Sequence, residues 1–274
     1  MAVTALSGQR WQGSGTATKD PADFEETFSS TGHTSDDTTV SGWYTNDISG
    51  LKYDASNDNL KFDITGSADD VMYYDLQHAD ALNGSNANAT TWTLRMKINV
   101  TTRSGTTENG NQFVIGMSAS NAFAGSRDFM GVEIIQGSDR SPDVNGICNA
   151  TVDNGVPQNQ LSDSKLLGST NITMATGTDW WLDITRDGDD CICTLYEDEF
   201  SGTSYTKTLD VANITDLRYI FLGSYSTETT FVGTIDDIKF YDGGMTEDDK
   251  TTVTDVPVGS EFEQTDNYKT YQRS

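Results

Sequence analysis

A chain of 274 residues with 42 Asp and Glu against 17 Lys and Arg, a formal charge of −25, is a poor holder of nucleic acid or an anionic membrane face. Both are bound chiefly through cations that displace counterions. Apolar residues at 35% and aromatics at 10% supply a core, in a background of Thr, Ser, Asn, Asp and Gly that suits thin β layers. The length allows one large β domain with appendages or two small ones.

Residues 1–21 carry no periodicity and read as an arm, and the start MAVTALSGQRWQGSG has no basic stretch followed by an apolar one, so no secretion signal is expected. No run approaches the roughly 20 apolar residues that span a bilayer. From residue 22 short alternating or aromatic-rich runs recur between Gly, Asn, Asp and Ser clusters. They are 23–30, 51–54, 59–64, 71–76, 91–100, 112–119, 129–136, 147–152, 179–186, 191–198, 205–211, 218–225 and 231–242. Asp187-Gly188-Asp189 is the sharpest hairpin signal, and single helical turns near 119–125 and 162–167 are the only departures from β texture. About a dozen antiparallel strands imply a two-sheet sandwich, because one open sheet of that width leaves long edges and an uncovered face.

The strand DWWLDITR puts Trp180, Leu182 and Ile184 on one side, with Trp181, Asp183 and Thr185 on the other. In FVGTIDDIKFYD the same alternation groups Asp236, Ile238 and Phe240 against Ile235, Asp237, Lys239 and Tyr241. One of two adjacent aspartates is thereby directed to the apolar side, where it needs a partner. Cys191 and Cys193 share a strand face in a geometry that disfavours a mutual bond. Buried thiols are expected, with a bridge from Cys148 as the alternative, and the absence of CxxC spacing argues against zinc.

The run WWLDITRDGDDCICTLYEDEFSG, then LRYIFLGSY, then GTIDDIKFYDGG resembles the closing half of concanavalin A-like lectin/glucanase domains of the LamG type. Such domains end in G-x-I-D-D-[IV]-x-[IFV]-Y-[DN] after a hairpin carrying W-x-L-x-I-x-R-D-G. The segments DFEETFSS and GWYTNDISGLKYDASNDNLKFDIT are similar to their entry strands. The resemblance implies an all-β, two-sheet antiparallel jelly-roll sandwich at 22–242, with a concave face that holds saccharide in many members. It also implies a structural Ca2+ at Asp236, with Asp237 as the register alternative; oxygen ligands suit that hard cation. The tail TTVTDVPVGSEFEQTDNYKTYQRS resembles a short β unit of tailed-virus structural proteins, and the N-terminal start is similar to that of marine viral proteins. The implied layout is an N-terminal arm at 1–21, the sandwich, and a C-terminal linker and β tag at 243–274. The implied setting is a virion or extracellular surface, with termini that pair with neighbouring copies or other virion proteins.

Hydrolases of that superfamily carry E-x-D-x-x-E or E-x-D-x-E on one strand face, which sets two carboxylates about 5–5.5 Å apart. Neither pattern occurs; the nearest acids are Glu133, without acidic partners, and Glu197-Asp198-Glu199, which reads as a solvated strand end. His33 and His78 lie in polar loop sequence away from any Ser or Cys elbow, and read as surface residues. Saccharide recognition needs aromatic platforms with Asn, Asp and Gln around them. The candidates are Trp43-Tyr44, Tyr73-Tyr74, Trp92 and Trp180-Trp181, with one member of each adjacent pair facing the core; Trp43, Tyr44, Tyr74, Trp92 and Trp181 are taken from them, and Trp181 leads because Leu182 and Ile184 claim the other face. Six Asn-x-Ser/Thr sequons, at 83, 88, 99, 149, 171 and 213, matter only in a host that glycosylates them. The expected function is a non-enzymatic virion or cell-surface protein whose adhesin-like sandwich binds a host or environmental glycan. The alternatives are a capsid-decoration, fibre or filament subunit without a ligand, and a glycoside hydrolase with atypical carboxylates.

Overall fold

The computed structural model describes residues 22–65, 68–77, 82, 85–104, 112–122, 126–136, 146–157, 165–166, 174–226 and 230–243, and short strands at 4–6, 10–12, 261–264 and 269–272. The chain divides into two units, Ala22–Gly244 and a second made of Met1–Pro21 with Met245–Ser274. The second unit holds β1 (Thr4–Leu6), β2 (Arg10–Gln12), β19 (Glu261–Gln264) and β20 (Lys269–Gln272), in the sheet order β1-β2-β19-β20. Two antiparallel hairpins meet there through a parallel pairing of Arg10 with Glu261. Arm and tag, read separately along the chain, thus share one sheet.

The larger unit runs β3 (Phe24–Glu25), β4 (Thr38–Val40), β5 (Trp43–Thr45), β6 (Leu51–Asp54), β7 (Asn59–Thr65), β8 (Ala68–Asp75), β9 (Thr91–Ser104) and β10 (Gln112–Ser118). It continues with β11 (Ser126–Gln136), β12 (Gly146–Pro157), β13 (Lys165–Leu166), β14 (Asp179–Asp187), β15 (Asp190–Asp198), β16 (Ser201–Asp210), β17 (Tyr219–Ser226) and β18 (Thr230–Asp242). One sheet has the order β13-β12-β11-β10-β17-β8-β5-β4; the other has β16-β15-β14-β9-β18-β7-β6, with β3 beside β18. Every pairing in both sheets is antiparallel, so the unit is the expected two-sheet sandwich, and no helix occurs among the described residues.

Period-two patterning places the core. In β7 Leu60, Phe62 and Ile64 point inward, and in β14 Trp180, Leu182 and Ile184 do, as the sequence requires. The hairpin at Gly188-Asp189 joins β14 to β15 through the pair Asp187 and Asp190. Between β4 and β5, Ser41 and Gly42 both take positive φ, 53° and 85°, the twist a two-residue hairpin needs. A Cβ on Gly42 would also sit 2.4 Å from the Tyr74 ring, so only glycine serves there. Cys191 and Cys193 are fully buried on the core face with their sulfurs 3.7 Å apart, and the Cys193 thiol donates to the Gly131 carbonyl. The Cys148 side chain lies outside the described residues.

Two expectations are corrected. In β18 strict alternation fails: Phe231, Gly233 and Ile235 face the core, and after a register shift between Asp236 and Lys239 so do Ile238 and Phe240. This β-bulge, with Asp237 at φ 50°, turns both aspartates outward, so neither carboxylate enters the core. His33 is no surface residue either; it is buried at 7% exposure and its imidazole bridges the two sheets. Its Nε2 donates to the Trp43 carbonyl in β5 and its Nδ1 accepts the Tyr53 N–H in β6, each at 2.9 Å. Glu26 spans the same gap, accepting the Trp43 indole N–H at 2.7 Å and the Tyr53 hydroxyl at 3.0 Å. His78 lies outside the described residues.

Candidate functional site

On β8, Met72 and Tyr74 enter the core, which leaves Val71 and Tyr73 on the outer face of the first sheet. Cross-strand register then builds one row from side to side. Tyr44 of β5 faces Tyr73, Tyr73 faces Phe221 of β17, Phe221 faces Gly116 of β10, and Gly116 faces Gly131 of β11. The two glycines are obligatory, since a Cβ on either would lie 2.1 Å from a carbonyl oxygen of the facing strand.

The accessible end of this row is aromatic and polar together. Tyr44 and Tyr73 stack at 4.9 Å between centroids, and Tyr219 meets Tyr73 edge-on at 5.2 Å. The Tyr44 hydroxyl donates to Asp37 at 2.8 Å, and the Asn121 amide donates to the Tyr73 oxygen at 3.3 Å. Arg218 forms a two-pronged pair with Asp75, the Nε bond at 2.7 Å, and lies 5.0 Å from the Tyr219 ring centroid. Burial, then the hydrogen bond to Asp37, pushes the Tyr44 hydroxyl up to about 12, so it stays protonated at neutral pH and can donate. Further along the face Val114, Phe129 and Phe221 are fully buried, with Arg127 4.3 Å from the Phe221 centroid. Glu133, the acid that sequence comparison with hydrolases singles out, sits on this face at 1% exposure.

The structure disperses the other sequence candidates. Trp43 and Trp92 have 0% exposure and Tyr74 has 7%, packed on Phe24 at 4.2 Å, so none of these rings presents a face to a saccharide. Trp181 is half-buried on the outer face of the second sheet, between Lys97 and Tyr196, far round the sandwich from Tyr44. Of the five only Tyr44 joins the platform; beside it stands Tyr73, the member of the Tyr73-Tyr74 pair that was passed over, and Tyr219, which sequence reasoning missed, backs Tyr73 at 9% exposure. A signal existed: Met72, Tyr74 and Leu76 keep one phase, whereas Tyr73 keeps phase with the charged Asp75.

Asp236 and Asp237 do not fit the calcium role. The Lys97 ammonium lies 2.9 Å from Asp236 and 3.6 Å from Asp237, occupying the position a cation would take. No group of three or more His, Cys, Asp or Glu converges on one point among the described residues. Burial draws the Lys97 pKa down, but the hydrogen bond and charge of Asp236 outweigh it and the net shift is upward, which keeps the ammonium charged. Lys97→Met leaves two adjacent carboxylates unneutralised and is expected to cost about 1 kcal/mol in a urea titration, the upper end for a half-exposed pair.

On the same outer face Arg95 and Asp183 form a buried two-pronged pair at 2.7 and 2.6 Å, and the Phe200 ring covers the guanidinium at 3.6 Å. Glu197, Asp198 and Glu199 are exposed at the end of β15, as a solvated strand end should be.

No family model and no curated protein matches the chain. Among solved structures, the Ca2+-bound VIP36 exoplasmic/lumenal domain is similar at TM-score 0.52 and 12% identity, over 76% of this chain and 86% of that one. Its Ca2+/Man3GlcNAc-bound form gives 0.51 at 12% identity, over 75% and 85%. The alginate lyase from Klebsiella pneumoniae gives 0.45 at 12% identity, over 76% and 97%. At such identities the likeness concerns the fold, and with the strand order above it makes residues 22–244 a two-sheet antiparallel jelly-roll sandwich.

Proposed function

We infer that this chain is a non-enzymatic, carbohydrate-binding surface protein whose ligand is a neutral glycan. The observation that carries the reading is the stacked Tyr44–Tyr73 pair, with hydroxyls anchored by Asp37 and Asn121 at the accessible end of the first sheet. Aromatic rings take the apolar side of a pyranose, and carboxylate and amide groups around them bond its hydroxyls. A charge of −25 disfavours uronates and sulfated sugars. A similar fold solved with Man3GlcNAc supports the ligand class, and its Ca2+-bound form supports a structural Ca2+ in the same fold. Display on a virion or cell surface completes the reading: the terminal strands join the sandwich to neighbouring copies, and many weak sites then act together.

A glycan array with wild type, Tyr73→Ala and Tyr74→Ala tests this, run with and without EDTA. Tyr73→Ala is expected to weaken binding about tenfold, the equivalent of ~1.4 kcal/mol, with little change in melting temperature. Tyr74→Ala is expected to cost about 3–5 kcal/mol of stability, as a large core truncation does. Binding of no neutral glycan by the wild type overturns the reading, and release of reducing ends from laminarin overturns its non-enzymatic part.

A further inference from the structure

The side of the sandwich next to Tyr44 is open, because β4 and β5 end one sheet and β6 ends the other. His33 fastens it. Its Nδ1 accepts a backbone N–H, so the single ring proton of the neutral form is on Nε2 and points at the Trp43 carbonyl. The main chain is tied to the same strand, since the His33 backbone N–H donates to the Tyr53 carbonyl at 3.0 Å. A second proton on Nδ1 would face the Tyr53 N–H, donor against donor, in a site at 7% exposure.

Among the described residues no carboxylate hydrogen-bonds the imidazole, whose two partners are backbone groups. From β6, Tyr53 presents its ring edge-on at 6.3 Å and commits its hydroxyl to Glu26. The Glu26 carboxylate is itself engaged by donors from Phe28, Trp43 and Tyr53. Asp54, next along β6, pairs with Lys52. From the β4–β5 side the backbone of Trp43 and of Thr38 faces the imidazole.

We propose that proton uptake by His33 unfastens the two sheets at this edge and displaces Tyr44, so that mild acid releases the ligand from the Tyr44–Tyr73 platform. The release of a glycan rests on the function inferred above; the unfastening does not. Burial holds the His33 pKa below its usual 6.5. The unfolded chain therefore takes the proton first, so the contribution of His33 is complete above about 6.5 and is lost as pH falls from there through the lowered folded value.

The test uses the full chain and His33→Asn, which cannot titrate and keeps an acceptor oxygen near the Nδ1 position. Melting temperature and affinity for Man3GlcNAc are read from pH 7.5 to 5.0, with the imidazole proton resonance of the wild type followed by NMR. Between those limits the wild type is expected to lose about 3–5 °C and about tenfold in affinity, while the variant stays flat. The His33 resonance is expected to titrate with a midpoint below about 6.5, together with the loss of stability. Parallel curves for the two proteins overturn the proposal, as does a His33 midpoint at or above about 6.5 if the variant fails to fold. Diverging melts without Man3GlcNAc binding at any pH leave the fastener standing and count against that glycan ligand; binding that ignores pH overturns the switch and leaves the platform.

Discussion

Asp183→Ala is expected to cost the fold about 3–5 kcal/mol, because it strands a buried cation. Arg95 and Asp183 are each 8% exposed, and two hydrogen bonds of 2.7 and 2.6 Å join them across β9 and β14. Water cannot replace the lost carboxylate, since the Phe200 ring covers the guanidinium at 3.6 Å. Phe200 takes a positive φ of 44° in the two-residue turn between Asp198 and Ser201, and that turn sets its ring over the guanidinium. The double variant Arg95→Met with Asp183→Leu is expected to recover most of the loss, because removing both charges also removes the desolvation cost. Urea denaturation of wild type, single and double variants decides it. A single variant within about 1 kcal/mol of wild type would mean that the pair is solvated and contributes as little as a surface bridge.

How far such features can be read in the chain depends on whether their cause is local. Strands β6, β7 and β14 follow from alternation, since each has one wet face and one dry face. The Asp187–Asp190 hairpin follows from Gly188, whose positive φ is a property of that residue alone. The β4–β5 hairpin escapes a strand search because its strands are three residues long. Choosing Tyr74 over Tyr73 fails for another reason: Val71, Val114, Phe129 and Phe221 make a second apolar cluster outside the core, so β8 looks apolar on both faces. The bulge at Asp236 and Asp237 breaks a period that the residues themselves continue. Lys97 reaches those aspartates, and His33 its two backbone partners, only through pairing between distant strands. The site was therefore half legible, with Tyr44 and the Tyr73-Tyr74 pair visible, while the choice within that pair and the place of Tyr219 were hidden in register.

Glu26→Ala is the second large effect expected, about 3 kcal/mol, and it falls on the same open side as His33. One carboxylate there satisfies three buried donors: the Phe28 N–H at 2.7 Å, the Trp43 indole N–H at 2.7 Å and the Tyr53 hydroxyl at 3.0 Å. Each donor left bare in the interior costs roughly 1–3 kcal/mol, and relaxation of the segment keeps the total below their sum. Phe28 adds to the loss, since its φ of 50° is held by the bond that Glu26 accepts from its N–H. Glu26→Gln keeps one acceptor oxygen but turns an amide donor toward a donor, so about 2 kcal/mol is expected. The effect must persist at pH 8, where His33 is neutral in folded and unfolded chains alike, which separates the clamp from the acid-sensitive bridge beside it. Amide exchange should rise first in residues 24–33, β5 and β6, while β14 and β15 stay protected, because opening starts where two sheet edges meet without a strand between them. Uniform loss of protection across both sheets would show instead that Glu26 supports the whole core, and that the open side is not a separate unit of stability.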